Sequence, residues 1–167
     1  MTKTALVVGG SGMLSGLVRS LAEDFDTVGV VARDHTKLKK LAGFSPNIVI
    51  IQADYSDLVS FEKSLDQFTS DYERPSLVAS WIHSTAPEAP YTLAKYSTGE
   101  FYDITGSSGR EADHPSREHE EKLTKIGLNY HRVILGSING RWLTNEEISD
   151  GVLLAIQLSA HEFTVGT

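Results

Sequence analysis

Thr4-Ala5-Leu6-Val7-Val8-Gly9-Gly10-Ser11-Gly12-Met13-Leu14-Ser15-Gly16 is the stretch on which the fold turns. Its apolar run has the length of a strand and ends in glycines, and a helical pattern follows over 13–24. Gly9 and Gly12 give the backbone the freedom of a tight turn and let it approach a diphosphate closely. The unpaired amides and positive dipole end of the following helix then suit an anion. In the Gly-x-Gly-x-x-Gly pattern the last place is taken by Ser15, so the match is partial. A tight strand-to-helix turn with no ligand is the alternative.

Working outward, further apolar runs lie at 28–32, 48–52, 77–82, 101–105, 132–135 and 163–165, with the first at 5–8. Most are rich in Val and Ile with little alternation, as in strands covered on both faces. Helical patterns fill the intervals at 35–42, 57–69, 88–96, 116–126 and 145–159. Gly43 stands as a helix stop, Thr144 as an N-cap ahead of Glu146 and Glu147, and Pro115 in a first helical turn. Such alternation predicts a doubly wound, mainly parallel α/β sheet of about seven strands flanked by helices, in one domain over 1–167. Only 106–116 has the composition of a loop.

Composition removes several function classes. Hydrophobic residues make up 40% and charged residues 22% of 167 residues, the balance of a globular chain that needs no covalent staple. There is no cysteine, which excludes disulfides, thiolate nucleophiles and cysteine-held metals, and the expected compartment is the reducing cytoplasm. Fifteen Lys and Arg against 22 Asp and Glu leave a net charge of −7, unlike a nucleic-acid binder. The first apolar run is too short for a signal segment or a membrane span. The expected partner is a small molecule, with neither nucleic acid nor membrane.

The end of the second strand bears on the nucleotide. An acidic residue there would hold a ribose 2′-hydroxyl, as in NAD sites. The chain instead reads Ala32-Arg33-Asp34-His35-Thr36-Lys37, and Arg33 with Lys37 would neutralise a 2′-phosphate. NADP(H) is therefore favoured over NAD(H). Asp34 competes, as a helix cap or a ribose contact. After the third strand, Asp54-Tyr55-Ser56-Asp57 offers Asp54 to an adenine amino group or as a cap.

These pieces together resemble the short-chain dehydrogenase/reductase superfamily, and in particular its small bacterial members. The resemblance rests on the Val-Val-Gly-Gly-Ser-Gly turn, Ala32-Arg33-Asp34 ahead of Lys37-Leu38, and Ala53-Asp54. It continues through Trp81-Ile82-His83-Ser84-Thr85-Ala86, Arg141-Trp142-Leu143-Thr144-Asn145-Glu146-Glu147-Ile148 and Phe163-Thr164-Val165-Gly166. It implies a Rossmann-type sheet with a nicotinamide nucleotide across its C-terminal edge, a hydride transfer to a small carbonyl or from an alcohol, and assembly as a homodimer or homotetramer. Gly9, Gly10, Ser11, Gly12, Met13 and Leu14 would hold the diphosphate, Ser11, Arg33 and Lys37 the 2′-phosphate, Asp54 and Tyr55 the adenine side, and His83 and Ser84 the nicotinamide ribose.

The resemblance also implies a Tyr-x-x-x-Lys pair about a dozen residues after a serine that closes strand five. Ser107 is the nearest serine, with Thr105 in a rival register, yet 116–125 contains no tyrosine. Tyr91 and Lys95 form such a pair after strand four, on one face of a helix if both are helical. They are either the proton donor and its partner or an ordinary surface pair. His83, at the ligand edge, is a second candidate acid or a hydrogen-bonded core histidine. His114 and His119 are five apart, a poor metal pair, and no metal is expected. Asp113, Glu118, Glu120 and Glu121 read as a solvated acidic face, with Leu123 and Ile126 left to anchor their helix. A nucleotide-binding sensor or scaffold that has lost the chemistry is the alternative function.

Overall fold

The computed structural model describes residues 2–9 and 11–167. Seven strands form one parallel sheet: β1 (Thr4–Val8), β2 (Thr27–Ala32), β3 (Ile48–Gln52), β4 (Leu77–Ser80), β5 (Glu100–Thr105), β6 (Asn129–Leu135) and, closing the chain, Glu162–Val165. Their order across the sheet is β3-β2-β1-β4-β5-β6 and then the final strand, all parallel. The chain winds outward from β1 in one direction, then returns to β4 and winds in the other. The order therefore reverses between β1 and β4, where an open α/β sheet leaves a crevice beyond its strand ends.

Helices α1 (Ser15–Asp24), α2 (His35–Ala42) and α6 (Asn145–Leu158) cover one face. Helices α3 (Leu58–Asp71), α4 (Ala89–Ala94) and α5 (Pro115–Lys125) cover the other. Burial follows the period-2 geometry of the strands. Along β5, Phe101 joins the α3–α4–α5 core, while Tyr102 and Ile104 join the opposite one. Asp103 is also buried.

A second, two-stranded antiparallel sheet was not expected: β7 (Ser137–Ile138) and β8 (Arg141–Trp142), which makes the final strand β9. The Asn139-Gly140 turn between them takes φ of 51° and 74°, the left-handed pair that a two-residue hairpin requires. Thr144 caps α6 in a reciprocal capping box with Glu147, whose carboxylate Arg141 also grips at 2.8 and 2.9 Å. The hairpin is thereby tied to the start of α6.

Gly43 caps α2 as expected, with right-handed backbone (φ −66°) and the Lys40 carbonyl oxygen 3.2 Å from where a Cβ would lie. Two expectations are corrected. Strand four ends at Ser80, so residues 81–83 form a loop rather than strand. Helix α5 is not anchored by Ile126, which is 62% exposed, but by Leu123, Ser116 and a polar network described below. Its carboxylates differ accordingly. Glu118 and Glu121 pair along the surface with Lys122 and Lys125, while Glu120 turns inward to Arg132.

Candidate functional site

The C-terminal ends of β1 and β4 meet at the glycine turn. Gly9 has φ of +87°, and a Cβ there would lie 3.2 Å from the Trp81 carbonyl oxygen and 3.3 Å from its Cβ. Glycine is thus imposed by left-handed backbone and by close approach of the loop that follows β4. Gly16 serves a packing purpose, since a Cβ on it would meet the Ser149 Cβ of α6 at 3.0 Å. Gly12 is different. Its backbone is not left-handed, and a Cβ would meet nothing within 4 Å.

Neither fold geometry nor internal packing requires glycine at position 12. The space in front of it is open, at the start of a helix that has no side-chain cap and no acidic residue in its first turn. That is a cradle a side chain would fill, and it fits a diphosphate held by backbone amides. Leu14 buries its side chain completely, so it has only its backbone to offer a ligand, and Ser11 and Met13 are half-buried beside it. Gly10 lies outside the described residues.

On the β2 and β3 side, Arg33 and Lys37 are exposed, and Arg33 makes no salt bridge among the described residues. Asp34 caps α2 by accepting from the Lys37 amide at 3.1 Å, so its carboxylate is occupied within the protein. Asp57 caps α3, and Asp54 accepts from the Ser56 amide at 2.9 Å. That hydrogen bond, with a contribution from the nearby Arg33 charge, holds the Asp54 carboxyl below its ordinary value. Tyr55 accepts a hydrogen bond from the His83 amide at 3.1 Å, bridging the ends of β3 and β4.

Beyond β4 and β5 lies a cavity of about 340 Å³. Trp81, Ile82, Ala86, Pro90 and Ile104 give it apolar walls, and its polar groups include Asp103, His114 and His119. His83 and Ser84 line it too, both exposed. His83 is therefore not a core histidine; its Nδ1 accepts from the Thr85 amide at 3.3 Å. Thr105 and Ser108 line the cavity, whereas Ser107 is exposed and outside its lining. Tyr91 also stands outside that lining and packs its ring edge-on against His119, centroids 5.4 Å apart, with the Lys122 ammonium over it. Burial raises the Tyr91 hydroxyl above its ordinary pKa. Lys95 extends the other way, to Glu62 at 3.8 Å, so Tyr91 and Lys95 are not brought together.

The polar groups that are brought together come from β5, β6 and α5. His119 Nδ1 donates to Asp103 Oδ2 at 2.8 Å, and the Tyr130 hydroxyl donates to the same oxygen at 2.6 Å. Burial, and then the Asp103 charge, drive the Tyr130 pKa far up, which keeps it a donor. Arg132, 1% exposed, donates to Ser116 Oγ at 2.9 Å, Glu120 at 2.7 Å and Glu162 at 2.9 Å. His114 caps α5: its Nδ1 accepts from the Ser116 amide at 3.1 Å and from the Ser116 hydroxyl at 2.9 Å.

Asp103, His114 and His119 were not among the expected site residues. A carboxylate inside an otherwise apolar strand, Phe101-Tyr102-Asp103-Ile104, was the available signal, because a buried charge requires a partner.

No protein-family model matches the chain, and no curated protein is significantly similar to it. Among solved structures, a short-chain oxidoreductase from Clostridium thermocellum in its apo form superposes with a TM-score of 0.76 at 16% identity, over 99% of this chain and 91% of that one. A short-chain dehydrogenase/reductase from Serratia marcescens gives 0.76 at 13%, over 98% and 97%. A short-chain dehydrogenase from Sphingobium yanoikuyae, solved in complex with NADPH, gives 0.74 at 14%, over 97% and 87%. The fold is thus that of the short-chain dehydrogenase/reductases, as the sequence resemblance implied.

Proposed function

We propose that the protein is an NADP(H)-dependent oxidoreductase acting on a small carbonyl or alcohol. The observation that carries this reading is Gly12, a glycine required by neither backbone nor packing, facing open space at the turn between strand order reversal and helix. The amides of Ser11, Gly12, Met13 and Leu14 would hold the diphosphate, with Gly10 as the resemblance implies; the Gly9 amide already donates to the Val31 carbonyl at 3.1 Å, so Gly9 shapes the turn instead. Arg33 and Lys37 would meet the 2′-phosphate, Asp54 and Tyr55 the adenine end, and His83 and Ser84 the nicotinamide ribose.

When bound, such a nucleotide supplies the hydride. The protein's own part is to orient the substrate, exclude water and move a proton. The apolar walls set by Trp81, Ile82, Pro90 and Ile104 suit the exclusion, and a cavity of about 340 Å³ limits the substrate to a small molecule. The NADPH complex of the Sphingobium yanoikuyae enzyme, which shares the fold, is consistent with this reading.

Thermal-shift titration with NADPH and NADH tests it. NADPH should give the larger stabilisation, and Arg33→Ala should abolish the difference. A larger shift with NADH would overturn the role of Arg33, and no shift with either would overturn the nucleotide site. One observation favours the alternative of a sensor or scaffold without turnover: Tyr91 and Lys95 point apart. NADPH binding with no oxidation by any small aldehyde, ketone or diketone would establish that alternative.

A further inference from the structure

We infer that His119, held by Asp103, is the proton donor and acceptor of the cavity, and that His114 presents a fixed hydrogen-bond donor to the substrate oxygen beside it. This rests on the oxidoreductase reading above and supplies an acid where Tyr91, outside the cavity lining, does not.

The tautomers follow from the partners. A carboxylate accepts only, so the ring nitrogen facing Asp103 Oδ2 at 2.8 Å carries a hydrogen, and neutral His119 has its lone pair on Nε2. A backbone amide donates only, so His114 Nδ1, facing the Ser116 amide at 3.1 Å, is the acceptor, and its hydrogen sits on Nε2. The Ser116 hydroxyl donates to the same nitrogen while accepting from the Arg132 guanidinium, which holds the arrangement. Burial lowers the His114 pKa and favours its neutral form. Neither Nε2 has a hydrogen-bond partner among the described residues, and both rings line the one cavity.

The two imidazoles are therefore complementary: one is a permanent Nε2–H donor, the other a base when neutral and an acid when protonated. That pairing recognises a single oxygen that alternates between carbonyl and hydroxyl. In reduction, a bound reduced nicotinamide would supply the hydride to the carbonyl carbon, and the carbonyl π pair would move onto oxygen. That oxygen would take the proton from protonated His119 Nε2, giving the alcohol, and the nucleotide would be left oxidised. His119 is left neutral and regains a proton from water. Asp103 is a positioning residue, fixing the His119 tautomer and orientation, and Tyr130 holds Asp103 in turn.

His119 follows Ser107 by twelve residues on the helix after β5. It occupies the stretch where the resemblance implies a tyrosine.

The test combines a readout free of turnover with turnover itself. Long-range ¹H–¹⁵N spectra of uniformly labelled protein distinguish histidine tautomers. They should show His119 with hydrogen on Nδ1 and His114 with hydrogen on Nε2, and Asp103→Asn should disturb the first but not the second. The opposite tautomer at either ring overturns the proposal. NADPH oxidation is then followed with benzaldehyde, diacetyl and ethyl acetoacetate as probes.

His119→Ala should lower kcat at least 100-fold with NADPH binding unchanged, with partial rescue by added imidazole. His114→Phe should raise KM for the carbonyl probe and lower kcat about tenfold. Wild-type turnover that survives His119→Ala overturns this proposal and leaves the oxidoreductase reading standing. NADPH binding without wild-type turnover on any probe overturns both.

Discussion

Gly9 and Gly12 stand three residues apart in one turn and are glycines for different physical reasons. At Gly9 the positive φ and the Trp81 carbonyl leave no room for a side chain. Gly9→Ala should cost about 1–2 kcal/mol, from left-handed strain plus the backbone contact. In a chain of this length that lowers the thermal midpoint by roughly 2–8 °C. At Gly12 neither constraint acts, so Gly12→Ala should leave stability within about 0.5 kcal/mol while weakening NADPH binding tenfold or more. Chemical denaturation and a binding titration on both variants separate the two roles. Destabilisation by Gly12→Ala as large as that by Gly9→Ala would mean that the open space is not what keeps the residue a glycine. The identity of this turn was legible in the sequence because its glycines follow a strand and precede a helix. Asp103 and His119 were not, because they lie 16 residues apart and become neighbours only when β5 and α5 pack.

Among the elements, α5 shows why the candidate acid escaped a reading by hydrophobic pattern. The seven strands were legible as short, nearly continuous apolar runs, and the helices other than α5 by apolar residues at helical spacing. Helix α5 has few such residues, and its fixing to the sheet is polar: Arg132 of β6 reaches Ser116, Glu120 and Glu162 from a fully buried position. A basic residue inside a strand run gave that away only in part, since its partners lie on two other elements. The hairpin β7–β8 is a different omission. The Asn139-Gly140 dipeptide was present as a signal, but each flanking strand is two residues long and has no periodicity to read. The anchoring can be measured. Arg132→Met should cost about 2–3 kcal/mol, near the low end for breaking a buried ion pair because Glu120 and Glu162 reach solvent. Ile126→Ala should fall within about 0.5 kcal/mol because its side chain is largely exposed. Urea unfolding of the two variants checks the contrast. A larger loss from Ile126→Ala would restore an apolar anchor for the helix.

Over the whole molecule, the charged and phenolic groups set where the fold is stable in pH. Glu147 is held down to about 2 by the Arg141 guanidinium first and the Thr144 amide second. In Glu120 burial pushes upward, but the hydrogen bond and charge of Arg132 outweigh it and the net direction is down. A carboxyl whose folded pKa is depressed adds stability above its unfolded value, 4.5 for glutamate, and loses it as pH falls through the folded value. On the alkaline side, burial followed by the hydrogen bond to Asp66 raises Tyr96 to about 12, and Tyr130 is raised as well. Above pH 10.0 the unfolded chain gives up phenolic protons that the folded chain keeps, so stability falls as pH rises toward 12. The thermal midpoint should therefore begin to decline below about pH 6.5, where burial keeps His114 neutral in the folded chain, fall more steeply below about 4.5, and decline again above about pH 10. Glu147→Gln should lower the midpoint near neutrality and make the acid decline shallower between 4.5 and 2, leaving the alkaline decline unchanged. Tyr96→Phe should instead make the alkaline decline shallower and leave the acid side unchanged, with the raised Tyr130 keeping part of the alkaline decline. Calorimetric scans across pH on the wild type and both variants decide the matter. An acid decline equally steep in Glu147→Gln would mean that the bridge from the β7–β8 hairpin to α6 does not contribute to the pH dependence of folding.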